Sequence, residues 1–110
     1  MEKVALVDNI TDVEKAVRRS LELIGGLELD PRTYVVIKPN ICNGKNPEGM
    51  VNTDFRVIKA VVDLVREKGN EVIIVESDNI ADVAERRVEQ CGLMKLLDEW
   101  DVDFLNLSND

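Results

Sequence analysis

Tyr34-Val35-Val36-Ile37-Lys38-Pro39-Asn40 is the stretch whose reading decides the fold. Four apolar residues, two of them β-branched valines beside an isoleucine, read as a strand buried on both faces. Pro39 then ends it, because a proline has no N–H to give to a ladder. A second run of the same kind, Val72-Ile73-Ile74-Val75, ends at Glu76-Ser77-Asp78-Asn79. Between the two, Asn52 or Thr53 caps a helix carrying Ile58, Val61, Val62 and Val65, widened by Val57, Ala60 and Leu64 and closed at Lys68-Gly69. Strand, helix, strand at this spacing is a right-handed parallel crossover.

Working outward, Val4-Ala5-Leu6-Val7 reads as another short buried strand. Thr11 to Glu14 spell a capping box, in which the Thr11 hydroxyl accepts from the third helical residue and Glu14 reaches back. Val13, Val17, Leu21 and Ile24 follow at helical spacing until Gly25-Gly26. Downstream, a helical region from about residue 81 to Trp100 is broken near Cys91-Gly92. A weaker strand, Val102 to Leu107, is interrupted by Asp103 and Asn106. The order β-α-β-α-β-α-β predicts an α/β fold of three layers around a mostly parallel four-stranded sheet, Rossmann-like or flavodoxin-like. Strands 34–37 and 72–75 should be central and the last strand an edge. Three crossovers should split two and one over the faces, leaving one face thinly covered. The expectation is a single, incomplete α/β domain over 1–110, the amino-terminal part of a longer one, with a C-terminal region or a second copy covering the sheet.

The 110 residues suit one domain, and 45% apolar with 33% charged residues is a globular composition. A net charge of −8 argues against bare nucleic acid, whose phosphates reward clustered Lys and Arg. With no histidine, Ser–His and Cys–His pairs and HExxH zinc sites are excluded. Two cysteines make no disulfide framework and no signal peptide is visible, so a reducing cytoplasm is the expected compartment. No apolar run approaches the roughly 20 residues that cross a bilayer.

Ligands of open parallel sheets bind beyond the carboxyl ends of the strands. Those ends here carry Asp8-Asn9, Lys38-Pro39-Asn40, Glu76 to Asn79, and Asn106 to Asp110. A lysine leaving a central strand has no capping duty, so Lys38 and Asn40 stand out, whereas Asp8, Asn9, Asn52, Thr53 and Asp78 are equally the residues that cap helices and make turns. The 13-residue connection 40–52 is long for its place and dense in amides, with Gly44 and Gly49 allowing close backbone approach. It holds neither GxxxxGK[ST] nor GxGxxG, which disfavours a nucleotide held in the familiar way. Cys42 lies in this loop and reads as an ordinary cysteine rather than a reactive thiol or metal ligand, since only Lys38 and Lys45 are near enough to lower its pKa, and Cys91 sits at core spacing. Asp8, Glu76 and Asp78 could meet a hard cation, but oxygen ligands without a defining spacing assign no metal site.

The run Val35 to Asn40, the glycine-containing loop, Thr53, the helix ending at Gly69, and Val72 to Ser77 together resemble the amino-terminal half of the domain of unknown function 362 family. Ala16 to Arg19 with the double glycine, and Cys91-Gly92-Leu93 leading to Val102-Asp103-Phe104, resemble it too. The resemblance implies a longer α/β protein in full-length members, many with a ferredoxin-like segment binding four-iron clusters. Such clusters need tight CxxCxxC spacing. Cys42 and Cys91 do not provide it, so no iron–sulfur motif is carried over and the cofactor stays open. A likeness to nickel-dependent lactate-racemase-type proteins is at fold level only. Lys38, Pro39, Asn40, Thr53, Glu76 and Ser77 match the family pattern and fall on the rim chosen above.

The expected function is a ligand-binding module taking a small anionic metabolite at Lys38, Asn40, Asn43, Thr53, Glu76 and Ser77, with no catalytic residue assigned. The second reading is a redox or metal-assisted enzyme, in which Lys38 binds the anion, Asn40 and the helix end at Thr53 orient it, and Glu76 is base or metal ligand. The third is an assembly module using an uncovered sheet face, as in a homodimer.

Overall fold

The computed structural model describes residues 2–46, 49–80 and 82–109. Helix α1 spans Val13–Leu23, strand β1 Tyr34–Ile37, helix α2 Phe55–Glu67 and strand β2 Glu71–Glu76. Helices α3, Ala84–Gln90, and α4, Leu93–Glu99, precede strand β3, Asp103–Asn106, which runs into a 3-10 turn at Leu107–Asn109. The expected break is real: Gly92, at φ 90°, separates α3 from α4.

The fold is α/β, with an open, all-parallel sheet of order β1-β2-β3. Tyr34 pairs with Glu71 and Ile37 with Ile74; Ile73 pairs with Asp103 and Glu76 with Asn106. This order is one wing of a Rossmann-type sheet, and it differs from the 2-1-3 start of the flavodoxin type. Because β2 is the central strand, β1 lies at an edge, contrary to expectation. The sequence cannot distinguish an edge strand that is apolar on both faces from a central one.

Strand order also decides where the helices go. Two right-handed crossovers that step in the same direction put their helices on the same face. Accordingly Ile58, Val62 and Val65 of α2, Val88 of α3 and Leu93 and Leu97 of α4 form one buried cluster with Val72, Ile74 and Val102, and Val35, Ile37 and Phe104 pack against it. Helix α1 packs on α2. The expected split of helices over both faces is therefore corrected. By alternation Tyr34, Val36, Ile73, Val75 and Leu105 line the other face, where Tyr34, Val36 and Leu105 are exposed and Val75 is buried.

The fourth expected strand is not part of the sheet. Val4 to Val7 carry no regular secondary structure and join no ladder, and Val4 (96% exposed) and Leu6 (89%) face solvent. The helix caps differ as well. Asp12, rather than Thr11, caps α1 by accepting from the Lys15 N–H at 3.1 Å, and Glu14 turns to Arg18 at 3.2 Å instead of reaching back. Asp54 caps α2 by accepting from Arg56 at 2.9 Å, leaving Asn52 and Thr53 for other work. Among the described residues no helix is long and apolar enough to cross a membrane.

Candidate functional site at the carboxyl rim

Glu76 is the last residue of an alternating set, Val72-Ile74-Glu76, that points into the covered face, so a carboxylate is carried into the edge of the core. Its side chain is 6% exposed, and its charge is met from three directions. The Lys38 Nζ lies 2.9 Å from Oε1, the Ser77 N–H donates to Oε1 at 2.9 Å, and the Ile41 N–H donates to Oε2 at 3.1 Å. The Arg87 Nη1 stands 3.9 Å from Oε2. Burial alone pushes this carboxyl up, but the Lys38 hydrogen bond and the two backbone N–H groups outweigh it and hold Glu76 below the usual carboxylate range.

Arg87 is buried and carries the other half of the arrangement. Its guanidinium donates to the carbonyls of Ile41 and Ser77, tying the segment after β1 to the segment after β2. Ile41, itself fully buried, is thus held by its N–H through Glu76 and by its carbonyl through Arg87. The Arg87 Nε is buried without a partner among the described residues.

The loop 40–53 is built on asparagine side chains that take the place of a ladder. Asn40 and Thr53 bond reciprocally: the Asn40 N–H donates to Thr53 Oγ1 and the Thr53 N–H to the Asn40 carbonyl, each at 2.8 Å. The N–H groups of Cys42 and Asn43 both donate to Asn52 Oδ1 at 2.8 and 3.1 Å, and Asn52 Nδ2 returns a bond to the Asn43 carbonyl at 2.7 Å. Asn46 Oδ1 accepts from the N–H groups of Val51 and Asn52, and Asn43 Oδ1 from Lys45. Gly44 closes the loop onto α3: a Cβ there would stand 2.9 Å from the Cβ of Gln90. Paired backbone N–H groups of this kind make an anion cradle when empty; here amide oxygens fill them.

Of the six expected site residues, Lys38, Glu76 and Ser77 are brought into one hydrogen-bonded group, and Asn40 and Thr53 form a second beside it. Asn43 joins the Asn52 network of the loop. Lys38, with a side chain 53% exposed, is the cation of this group that solvent reaches. Asp78 accepts from the Ala84 N–H at 2.8 Å, the start of α3, and from Asn106 Nδ2 at 2.8 Å, which holds its carboxyl low. Asn106 Nδ2 also donates to Glu85 at 2.7 Å. Asp8 and Asn9 lie on the unpaired amino-terminal segment. Cys42 is exposed, and partial burial pushes the Cys91 thiol up.

Arg87 escaped the sequence reading, and Asn52 reads there as a helix cap first. A signal for Arg87 was present: with Ala84, Val88 and Cys91 it occupies the apolar stripe of its helix, where an unpaired cation would be costly. Among the described residues no three His, Cys, Asp or Glu side chains are grouped to hold a metal. A hollow of about 430 Å³ lies away from these residues, between α1, α2 and α4, walled by Phe55, Ala60, Leu96 and Trp100. There Lys59 sits 5.9 Å from the Trp100 ring centroid and 2.6 Å from Asp63.

A family model described as a domain of unknown function (DUF362) matches residues 35–110. The match starts at β1, so α1 and its double glycine lie outside it. No curated protein and no solved structure matches the chain.

Proposed function

The chain belongs to the DUF362 family, and we propose that it is an α/β ligand-binding half-domain whose carboxyl rim takes a small anionic metabolite through Lys38. The observation that carries this reading is the contrast within one ion pair: Glu76 is buried and spent on the backbone, while Lys38 is anchored by it and presented to solvent. A lysine held by a carboxylate that the fold needs is a pre-oriented point charge, and an arriving anion meets it without ordering a free side chain. The exposed Tyr34, Val36 and Leu105 on the sheet face without helices support completion of the site by a partner surface. We assign the protein to the cytoplasm on its free cysteines, and the acidic balance supports a metabolite over nucleic acid as partner.

The enzyme reading, with Glu76 as base or metal ligand, has less support, since both Glu76 oxygens are already engaged. An amide chemical-shift titration with phosphate, acetate, oxalate and Mg²⁺ decides between them. Saturable shifts confined to residues 38–54 and 76–79 with an anion, weakened at least about tenfold in Lys38→Met, are expected. Mg²⁺ binding that survives Lys38→Met would favour the enzyme reading, and a folded chain silent to the whole panel would overturn the proposal.

A further inference from the structure

We infer that the amino-terminal segment docks within its own chain as a fourth parallel strand on the free edge of β1, and that this brings Asp8 against Lys38 as an internal competitor for the anion. The second half of this inference rests on the reading of Lys38 given above; the first half does not.

Two complementary features are unsatisfied in the same molecule. Residues 3–10 take no backbone hydrogen bond from any described residue, and β1 is paired on one side only. An exposed edge with unpaired N–H and C=O groups is a template for another strand, and Val4-Ala5-Leu6-Val7 matches Tyr34-Val35-Val36-Ile37 in length and apolar character. Charge selects the direction. Parallel docking with Val4 beside Tyr34 puts Asp8 beside Lys38, with Lys3 at the end of the sheet that carries Glu71 and Asp103. The antiparallel alternative would set Lys3 beside Lys38 and Asp8 at the acidic end, like against like. The faces agree as well: Val4 and Leu6 are exposed and Ala5 and Val7 half-buried, so the former join Tyr34 and Val36 on the open face and the latter join Val35 and Ile37 on the covered one. A slip of one residue would reverse both assignments.

Handedness selects the donor. A strand placed outside β1 and connected to it through α1 makes a right-handed crossover only if α1 lies on the same face as α2. Helix α1 packs against α2. The residues between Val7 and α1 are a connection of ordinary length for such a unit. The segment of the same chain therefore reaches β1 without rearranging any helix, and that favours it over the segment of a second copy.

Docking is read first without ligand, by NOEs between Leu6 and Val36 methyls and by hydrogen exchange of residues 4–8, at two protein concentrations and in a mixture of isotope-labelled and unlabelled copies. Contacts within one chain, independent of concentration, are expected, with protection falling about tenfold in Asp8→Lys, which sets like charges side by side. Absence of these contacts, contacts only between labelled and unlabelled copies, or protection indifferent to Asp8→Lys would each overturn the docked register. Phosphate titration then tests the competition: Asp8→Asn should tighten binding at Lys38 about tenfold, and equal affinity in the two proteins would overturn it. Docking contacts in a protein that binds no phosphate would remove the ligand reading and leave the strand.

Discussion

The loop 40–53 and the segment 3–10 are both irregular, and they could hardly be more different. Among its described residues the loop pairs in no ladder, yet its backbone is bonded at nearly every turn by Asn40, Asn43, Asn46, Asn52, Thr53, Glu76 and Arg87. The segment has the apolar sequence of a regular strand and none of the bonds. What separates them is where their backbone polar groups go, since a buried amide without a partner is costly and an exposed one has water. A strand-like sequence and an ordered backbone are separate properties, and the rim owes its order to side chains that imitate a neighbouring strand.

The contrast can be broken most forcibly at Glu76. Glu76→Ala removes the acceptor of two backbone N–H groups and strands Arg87 as a buried, uncompensated charge, so a loss of about 3–5 kcal/mol is expected in a urea melt. Asn52→Ala comes next. It orphans the N–H groups of Cys42 and Asn43 and should cost about 2–3 kcal/mol, with hydrogen exchange accelerating across 40–53. If exchange there stays slow, the loop is held by something other than its amides.

Acid tests the same point. Glu76, Asp78 and Asp54 are all held below their ordinary range, Glu76 against its burial by Lys38 and backbone N–H groups, Asp78 by the Ala84 N–H and Asp54 by Arg56. A depressed carboxyl contributes stability that is complete above its unfolded value, near 4, and is lost as pH falls through the lower folded value. The urea midpoint should therefore be flat from neutral down to about pH 5 and fall below it. Glu76→Gln should flatten that fall; an unchanged acid limb would mean that the buried pair does not couple to folding. At the small end, Asp12→Ala should cost about 1 kcal/mol as a lost cap. Thr11→Ala should be silent, which separates the observed cap from the one that the Thr-x-x-Glu pattern advertised.

Much of this contrast was legible in the residues, and the illegible part has a physical pattern. Apolar runs located β1 and β2, and Gly25-Gly26, Gly69 and Gly92 located helix ends, because those signals are local. The rim was located for the same reason, since it follows from where strands end. Strand order was not legible, and with it went the placement of β1 at an edge and of all helices on one face. Roles inside the rim were half legible. Lys38 and Glu76 announced themselves by position, but Asn52 looked like a cap because caps and loop staples draw on the same side chains, and the partner that decides between them, the pair of N–H groups on Cys42 and Asn43, lies nine and ten residues away. Val4 to Val7 read as a strand because a strand is what their chemistry suits; a sequence shows that a ladder is wanted, not that it is made.

The double grip on Ile41 has a consequence for how this protein comes into being. Its N–H is held across 35 residues by Glu76 and its carbonyl across 46 by Arg87, so both bonds are of high contact order. A chain emerging from the ribosome can form α1 and α2 as they are made, but the rim has no fixed shape until Arg87 has been made and α3 has folded back. Any chain cut between Ser77 and Arg87 would keep every one of the six candidate ligand residues and lack the bonds from Arg87 that fix the rim.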